Sequence, residues 1–159
     1  GWATSVEDRN RLWQARHNAA FAARMLRPGA RPVATDVCVP ISRLAECILQ
    51  TRDDAEASGF HAPILGHVGD GNFHMVMLID PADAEEVARA RAVNGRLVER
   101  ALAMGGTSTG EHGIGLGKRD YMAAEHGTAL EPMRAIKRAL DIDGLLNPGK
   151  MLPPAQEWL

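Results

Sequence analysis

One stretch, APILGHVGDGNFHMVMLID at residues 62–80, constrains the fold more than any other part of the chain. Two runs rich in apolar residues flank a cluster of glycine, aspartate and asparagine, a pattern that predicts two antiparallel strands joined by a turn. We place the turn at residues 69–72, so that His67 lies opposite His74. Directly opposed residues share one face of a sheet, with Cβ atoms about 4.5–5.5 Å apart. The two histidines are therefore predicted to be close neighbours.

The elements on either side of this hairpin predict an α+β fold. The predicted strands are residues 33–39, 63–68 and 73–79, with a short fourth strand at 107–109. The predicted helices are residues 5–26, 40–57, 83–104, 118–126 and 130–140. From the first strand to the fourth, the order is strand, helix, strand, strand, helix, strand, which is typical of a ferredoxin-like unit. We expect an antiparallel sheet with helices packed on one face, plus C-terminal helices.

The composition is that of one ordinary globular domain. The chain has 159 residues, of which 45% are hydrophobic and 24% are charged, and its formal net charge is -2. That charge favours neither nucleic acid nor an anionic membrane as a partner. No apolar run approaches the length of a membrane span, and the N-terminus lacks a signal pattern. The spacing of Cys38 and Cys47 matches no redox or zinc motif, so we expect free thiols that pack as small hydrophobes, and a reducing, cytoplasmic location.

The two histidines of the hairpin need an explanation beyond the turn. Glycine, aspartate and asparagine form turns readily, but a turn does not require histidine at both ends. From residues 67–74 alone, packing of the imidazoles and metal binding both stay open. A second glycine-rich segment, STGEHGIG at residues 108–115, contributes Glu111 and His112. Two histidines and one carboxylate form a set of three ligands that leaves a divalent metal open to substrate, as in catalytic sites.

Arg16 is the other unusual residue. On the first predicted helix its neighbours one turn away are apolar, namely Leu12, Trp13, Ala19 and Ala20. An arginine among apolar side chains either extends its alkyl chain along them towards water or meets an anion. Its planar guanidinium suits a carboxylate, which it binds through two parallel hydrogen bonds. Both interpretations of Arg16 stay open at this point.

Five segments, in order along the chain, resemble the C-terminal or cap domain of FAD-linked oxidases in the vanillyl-alcohol oxidase/PCMH flavoprotein superfamily. They are LWQARH, TDVCVPISRL, GHVGDGNFH, GEHGIGLGKRDYM and GLLNPGKML, and together they span most of the chain. Within the superfamily these segments are most similar to D-lactate dehydrogenases of the cytochrome-linked type. Glycolate oxidase D subunits and D-2-hydroxyglutarate dehydrogenases are relatives of that group.

The resemblance implies a flavin enzyme that oxidises a D-2-hydroxy acid to a 2-keto acid. By similarity, His67, His74 and Glu111 are the ligands of a divalent metal, for which Zn²⁺ and Mn²⁺ are favoured. A substrate hydroxyl bound to such a metal has a lowered pKa. His112 is implied as the base that takes the hydroxyl proton, while the α-hydride passes to FAD.

Other residues take roles by the same similarity. Arg16 is implied as the residue that binds the substrate carboxylate, and Asn147 and Lys150 of the NPGK segment as residues close to the flavin. Ala34 and Val76 stand where hydroxyglutarate enzymes are expected to carry polar groups, which favours a short acid such as D-lactate. The implied electron acceptor is a quinone or a cytochrome. A homodimer, and peripheral contact of the full-length protein with an inner membrane, are further expectations.

The FAD-binding domain of this family precedes the matching segments and is not in residues 1–159, so we interpret the chain as a single C-terminal domain fragment. FAD would then be bound mainly by the absent N-terminal domain, and the fragment alone is expected to be inactive. The alternative is a non-catalytic metal-binding or interaction domain that shares the fold. His112 and Arg16 favour the enzyme, because a scaffold requires neither a base nor a carboxylate-binding residue.

Overall fold

The computed structural model describes residues 2–154, apart from the side chain of Ala20. Its helices are α1 (Val6–Met25), α2 (Ile41–Ala57), α3 (Ala84–Ala103), α4 (Met122–His126) and α5 (Leu130–Leu140). Its strands are β1 (Arg31–Ala34), β2 (Val37–Cys38), β3 (Ile64–His67) and β4 (Asn72–Ile79). Single turns of 3₁₀-helix cover Val68–Asp70, Arg119–Tyr121 and Gly127–Ala129. Across this part of the chain, none of the helices combines the length and the hydropathy that a membrane crossing requires.

Strand β4 is the centre of an antiparallel sheet. β3 pairs with one edge of β4, and β1 and β2 pair with the other edge. On the far side of β2, Cys38 forms a single bridge with Thr107, which is all that remains of the predicted fourth strand. The two strand segments that α2 connects are thus separated by β4, which is the split βαβ arrangement of a ferredoxin-like unit. The prediction of an α+β fold with an antiparallel sheet is confirmed.

The single strand predicted over residues 33–39 is interrupted at Thr35 and Asp36. One register nevertheless continues from β1 to β2 against β4. The Thr35 amide donates to the Met75 carbonyl at 2.9 Å, and the Met75 amide donates to Thr35 Oγ1 at 2.9 Å instead of to a strand carbonyl. The carbonyl of Thr35 is thereby left for a side-chain donor, and that donor is His74. The interruption of the strand therefore belongs to the site described below.

The predicted hairpin is present, but its predicted register is wrong by two residues. Asn72 belongs to β4, and the turn is the 3₁₀ segment Val68–Asp70. His67 therefore pairs with Asn72, and Leu65 pairs with His74. A shift of two residues keeps every side chain on its predicted face, because strand side chains alternate with a period of two. His67 and His74 still share one face of the sheet, as diagonal neighbours rather than as a directly opposed pair.

The two faces of the sheet pack differently. On one face, Phe73 and Met77 of β4 are fully buried beneath α2 and α3. On the other face, Val76 packs in a smaller cluster with Ala23 near the end of α1. His74 lies on this second face, because it alternates with Phe73 along the strand. The main core thus supports the sheet from one side, while on the other side α1 covers the part beside Val76 and polar residues surround His74.

Gly66 of β3 has no room for a side chain, which provides a test of the hairpin register. A Cβ atom at Gly66 would lie 2.4 Å from the carbonyl oxygen of Asn72 and 2.6 Å from the Cα atom of Phe73. We expect Gly66→Ala to lower the free energy of unfolding by about 1–3 kcal/mol, because an overpacked site must push backbone atoms apart. The measurement is urea unfolding of the chain, followed by circular dichroism.

Gly95→Ala in α3 is the matched control. Its Cβ atom would meet only the Tyr121 hydroxyl, at 3.8 Å. This substitution should raise the free energy of unfolding by about 0.5–1 kcal/mol, because alanine is the better helix former. Opposite signs for the two alanine substitutions support the register, whereas an unchanged midpoint for Gly66→Ala would contradict it.

Candidate metal and catalytic site

The three predicted metal ligands meet on the less covered face of the sheet. His67 ends β3, His74 lies in β4, and Glu111 comes from the loop that follows α3. Glu111 Oε1 is 2.9 Å from His74 Nε2 and 3.6 Å from His67 Nε2. The ring centroids of the two histidines are 6.4 Å apart. One ligand atom from each of the three residues lies within 4.8 Å of the others, which is close enough for all three to bind one ion.

The hydrogen bonds of His74 determine which ring nitrogen faces the site. Nδ1 lies 3.0 Å from the carbonyl oxygen of Thr35, which can only accept, so Nδ1 carries a proton and donates. In the neutral ring, Nε2 then has a lone pair directed at Glu111 Oε1, 2.9 Å away. Two acceptors at that distance require a proton or a metal cation between them. Histidine metal ligands usually donate their second ring N–H in this way, so the donor set fits a metal site.

His112 is next to the three ligands but differs from His74 in exposure. Its ring stacks on that of His74, with centroids 5.0 Å apart and an angle of 5° between the ring planes. Its Nε2 is 3.8 Å from Glu111 Oε1. The side chain of His112 is 51% exposed, against 8% for His74. A half-exposed imidazole can accept or release a proton at the surface of the cluster, which is the chemistry that its position allows.

A buried aspartate, which the sequence reasoning did not select, holds the loop that carries Glu111 and His112. Asp36 is only 2% exposed. Its carboxylate accepts hydrogen bonds of 3.0–3.3 Å from the consecutive backbone amides of Gly110, Glu111 and His112. Its further donors are the Thr109 hydroxyl at 3.0 Å, the Asn72 side-chain amide at 3.3 Å and the Lys118 ammonium at 2.6 Å. We term Asp36 with these donors the Asp36 network.

Asp36 keeps its charge in spite of its burial. Burial by itself raises the pKa of a carboxyl group, because it disfavours the ionised form. Here the hydrogen bonds from Lys118 and from the amide of His112, together with the positive charge of Lys118, outweigh burial and hold the pKa of Asp36 well below its usual range. Asp36 and Lys118 therefore form a buried ion pair around which the loop is ordered.

A second set of possible metal ligands includes His74, but the atoms that this second set would use already form hydrogen bonds. Asp36, His74 and His112 also place one ligand atom each within 4.8 Å of one another. The His74 atom that approaches Asp36 is Nδ1, at 3.8 Å, and that nitrogen already donates to Thr35. Both Asp36 oxygens accept hydrogen bonds from the donors of the network. The structure therefore favours the first set as the one available to an ion.

One feature of the sequence signals part of this network. Asp36 interrupts an otherwise apolar strand pattern, VATDVCV, and an acidic residue predicted inside a buried strand needs a partner. The partner, Lys118, lies 82 residues further along the chain. No local pattern indicates a pairing over that distance, so the network could be found only in the folded protein.

Within residues 2–154, the remaining predicted site residues form no hydrogen bond or ion pair with His67, His74 or Glu111. Arg16 is half-buried in the middle of α1, and its side chain forms no ion pair among residues 2–154. Lys150 Nζ donates to Asn147 Oδ1 at 3.0 Å, and both residues are exposed. Their segment does touch the glycine-rich loop, where the Met151 amide donates to the Gly115 carbonyl at 2.8 Å. The roles predicted for Arg16, Asn147 and Lys150 stay predictions.

Comparison with known proteins agrees with the expected family. A family model described as "FAD linked oxidases, C-terminal domain" matches residues 1–151. A zebrafish (Danio rerio) protein named "Probable D-lactate dehydrogenase, mitochondrial" is 53% identical over 156 residues. A mitochondrial, cytochrome-type D-lactate dehydrogenase of Arabidopsis thaliana is 42% identical over 154 residues. The glycolate oxidase subunit GlcD of Escherichia coli is 36% identical over 160 residues.

These alignments cover nearly all of this chain but a minor part of each relative. They include 98%, 96% and 95% of the chain for the zebrafish, Arabidopsis and E. coli proteins, respectively. The matching regions are 31%, 27% and 30% of those proteins. The chain thus spans about a third or less of the length of these relatives.

The hydrogen bond from His74 Nδ1 to the Thr35 carbonyl predicts one tautomer for this ring. In the metal-free protein, NMR of ¹⁵N-labelled histidine should show a proton on Nδ1 of His74, whether or not a second proton lies between Nε2 and Glu111. Addition of Zn²⁺ should then shift the Nε2 resonance of His74 and leave the exposed His61 unchanged. A proton on Nε2 of the neutral ring, or an equal response of His61, would contradict the arrangement.

Proposed function

The chain belongs to the family of FAD-linked oxidase C-terminal domains, and we propose that it is the substrate-binding and catalytic part of a flavin-dependent D-2-hydroxy-acid dehydrogenase. Its substrate would be D-lactate or a similar short acid, which is oxidised to the 2-keto acid. The observation that carries the proposal is the meeting of His67, His74 and Glu111 beside His112. The relatives support the same activity, since two of the three described above are named D-lactate dehydrogenases.

We propose that His67, His74 and Glu111 hold a divalent ion, Zn²⁺ or Mn²⁺. Two imidazole nitrogens and one carboxylate oxygen are suitable donors for either ion. His74 is oriented for this role, because the Thr35 carbonyl accepts its Nδ1 proton and leaves Nε2 for the ion. When bound, such an ion supplies a Lewis acid that lowers the pKa of the substrate hydroxyl.

His112 is proposed to take the proton of the substrate hydroxyl. Its ring is half exposed and stacks on His74, and its backbone amide is held by Asp36 at 3.0 Å. A positioned imidazole is the commonest general base in proteins. Loss of the hydroxyl proton prepares the α-hydrogen to leave as a hydride, which FAD accepts when it is bound. We propose that FAD is bound mainly outside residues 1–159, with Asn147 and Lys150 near it.

The surroundings of the site favour a short monocarboxylic substrate. Ala34 of β1 and Val76 of β4 are a directly opposed pair, and they share the sheet face of His74. Both side chains are apolar, so the pair offers no partner for a second carboxylate. We therefore propose D-lactate rather than a dicarboxylic acid. Arg16 stays the predicted partner of the single carboxylate.

For the electron acceptor we propose a cytochrome or a quinone. The Arabidopsis relative is named as a cytochrome-type enzyme, which supports the first of these. The names of the zebrafish and Arabidopsis relatives also include the word mitochondrial. For this chain, a cytoplasmic location, contact with an inner membrane and a homodimer stay predictions.

Removal of a ligand should remove the metal. In the full-length protein that contains this chain, His67→Ala and His74→Ala should each abolish stoichiometric binding of a divalent ion and most of the activity, because the set would keep only two ligands. Elemental analysis after dialysis measures the ion, and turnover of D-lactate with an artificial acceptor measures the activity. The control is His61→Ala, which alters an exposed histidine outside the site.

Two results would count against this proposal in different ways. Unchanged metal content in His67→Ala and His74→Ala would refute the ligand assignment. A full-length protein that binds the ion but turns over no D-2-hydroxy acid would favour the non-catalytic metal-binding domain.

Replacement of His112 and of Arg16 should affect different kinetic constants. His112→Ala should lower kcat by about 10²–10⁴-fold with little change in KM, since a general base acts in the transition state. Arg16→Ala should mainly raise KM, because a guanidinium that binds the carboxylate does so in ground and transition states alike. Arg16→Met keeps the alkyl part of the side chain. A KM near that of the parent protein for Arg16→Met would remove Arg16 from the site.

A further inference from the structure

We infer that Asp36, paired with Lys118, is the positioning residue of this site, and that it sets the places of Glu111 and His112 by binding the backbone amides of residues 110–112. The inference rests on the proposed function for the chemical roles of Glu111 and His112. The inference is based on the hydrogen-bond geometry of the Asp36 network. Asp36 itself is not proposed to contact the substrate.

The three amides converge on one carboxylate. Oδ2 of Asp36 accepts from the amides of Gly110 and His112 at 3.1 and 3.0 Å, and the Glu111 amide is 3.2 Å from Oδ1. Consecutive amides that point inward form a concave site for an anion. Here the anion is a side chain of the same protein. The loop cannot shift without leaving a buried carboxylate short of donors, which is costly.

The same short segment also orients a second proposed ligand, His74. The residue before Asp36 is Thr35, whose carbonyl accepts the Nδ1 proton of His74 at 3.0 Å. Two adjacent residues at the strand interruption therefore hold ligand groups from two separate parts of the chain, β4 and the loop after α3. The interruption between β1 and β2 allows both contacts. It leaves the Thr35 carbonyl free to bind the His74 side chain and the Asp36 carboxylate free to bind the loop.

Close packing beneath the loop adds to this constraint. A Cβ atom at Gly110 would lie 1.9 Å from Asn72 Nδ2 and 2.8 Å from Asp36 Oδ1. Only glycine allows the loop to approach the network this closely. Asn72 in turn donates to Asp36 Oδ1 at 3.3 Å, so it joins the end of β4 to the same carboxylate.

Lys118 makes the charge of Asp36 tolerable in a buried position. Its ammonium donates to Asp36 Oδ2 at 2.6 Å and to the Asp36 carbonyl at 3.0 Å. A buried carboxylate without such a partner would destabilise the fold. Because Lys118 neutralises Asp36, Glu111 is the carboxylate of the site that is left for a metal ion.

The first test is amide hydrogen exchange in the full-length protein. Asp36→Asn should increase the exchange rates of the amides of residues 110–112 by about tenfold or more, because the loop loses a charged acceptor. The affinity for Zn²⁺, measured against a chromogenic chelator, should fall by about 10–100-fold, as is typical when a group that supports metal ligands is lost. The value of kcat for D-lactate should fall more than KM rises.

Asp54→Asn is the matched control for charge and ion pairing. Asp54 lies on α2, where it pairs with Arg96 at 2.6 Å and with Arg100 at 3.2 Å, away from the site. This variant should lose some stability but keep the exchange rates at residues 110–112, the Zn²⁺ affinity and kcat. Exchange rates in Asp36→Asn that match those of Asp54→Asn would overturn the inference.

A double variant separates positioning from stability. Lys118→Met alone should lower the free energy of unfolding, because it leaves the Asp36 carboxylate buried and unpaired. Adding Asp36→Asn to Lys118→Met removes that charge and should restore most of the stability. It should not restore protection at residues 110–112, Zn²⁺ affinity or kcat. Recovery of kcat together with stability would show that Asp36 is only structural, which would overturn the inference.

A milder variant covers the case in which Asp36→Asn does not fold. Thr109→Val removes the hydroxyl that lies 3.0 Å from Asp36 Oδ2 and 3.2 Å from the Gly113 carbonyl, and it should cause smaller changes in the same direction. Unchanged exchange at residues 110–112 in this variant would then count against the inference. The exchange experiment does not require a metal. A negative result in it would therefore contradict the inference about Asp36 alone. Failure of the proposed function would be seen separately, as a parent protein that binds no divalent ion.

Discussion

Asp36 is the buried charge on which the geometry of the site depends. It faces a lysine, a hydroxyl, a side-chain amide and three backbone amides, and these donors come from β4 and from the loop after α3. A carboxylate in this position is stable only if its donors stay in place. The requirements of one charge therefore order a glycine-rich loop that would otherwise have many conformations.

The two faces of the sheet have different roles: one face carries the main hydrophobic core, and the other carries the residues of the candidate site. Its one face carries the large core beneath α2 and α3, where side chains such as Phe73 and Leu97 are fully buried. That core supports β4 firmly enough for the opposite face to hold polar groups. On this opposite face His74 is buried, whereas His67 and Glu111 are 46% and 45% exposed. The proposed metal site therefore combines one rigid ligand with two that are open to a substrate.

The register predicted for the hairpin is wrong, but the prediction that His67 and His74 share one face of the sheet is correct. The turn residues predict a turn at 69–72, but Asn72 belongs to β4 and donates from its side chain to Asp36. The error of two residues left His67 and His74 on one face, because the side-chain period of a strand is two. An error of one residue would have separated them. The order of strands and helices was also predictable, because each element is indicated by a hydrophobic pattern that extends over many residues.

The sequence by itself determined the α+β fold, the hairpin and the candidate ligands, since hydrophobic periodicity and turn residues are local properties. Residue types and family resemblance then singled out His67, His74, Glu111 and His112. Only the tertiary structure decided the tautomer of His74, the interruption at Thr35 and Asp36, and the pairing of Asp36 with Lys118 across 82 residues. These features depend on contacts between distant segments, and a contact of that kind leaves no periodic signal in the chain. The ion pair became visible only when folding had buried Asp36 and brought the partly buried Lys118 against it.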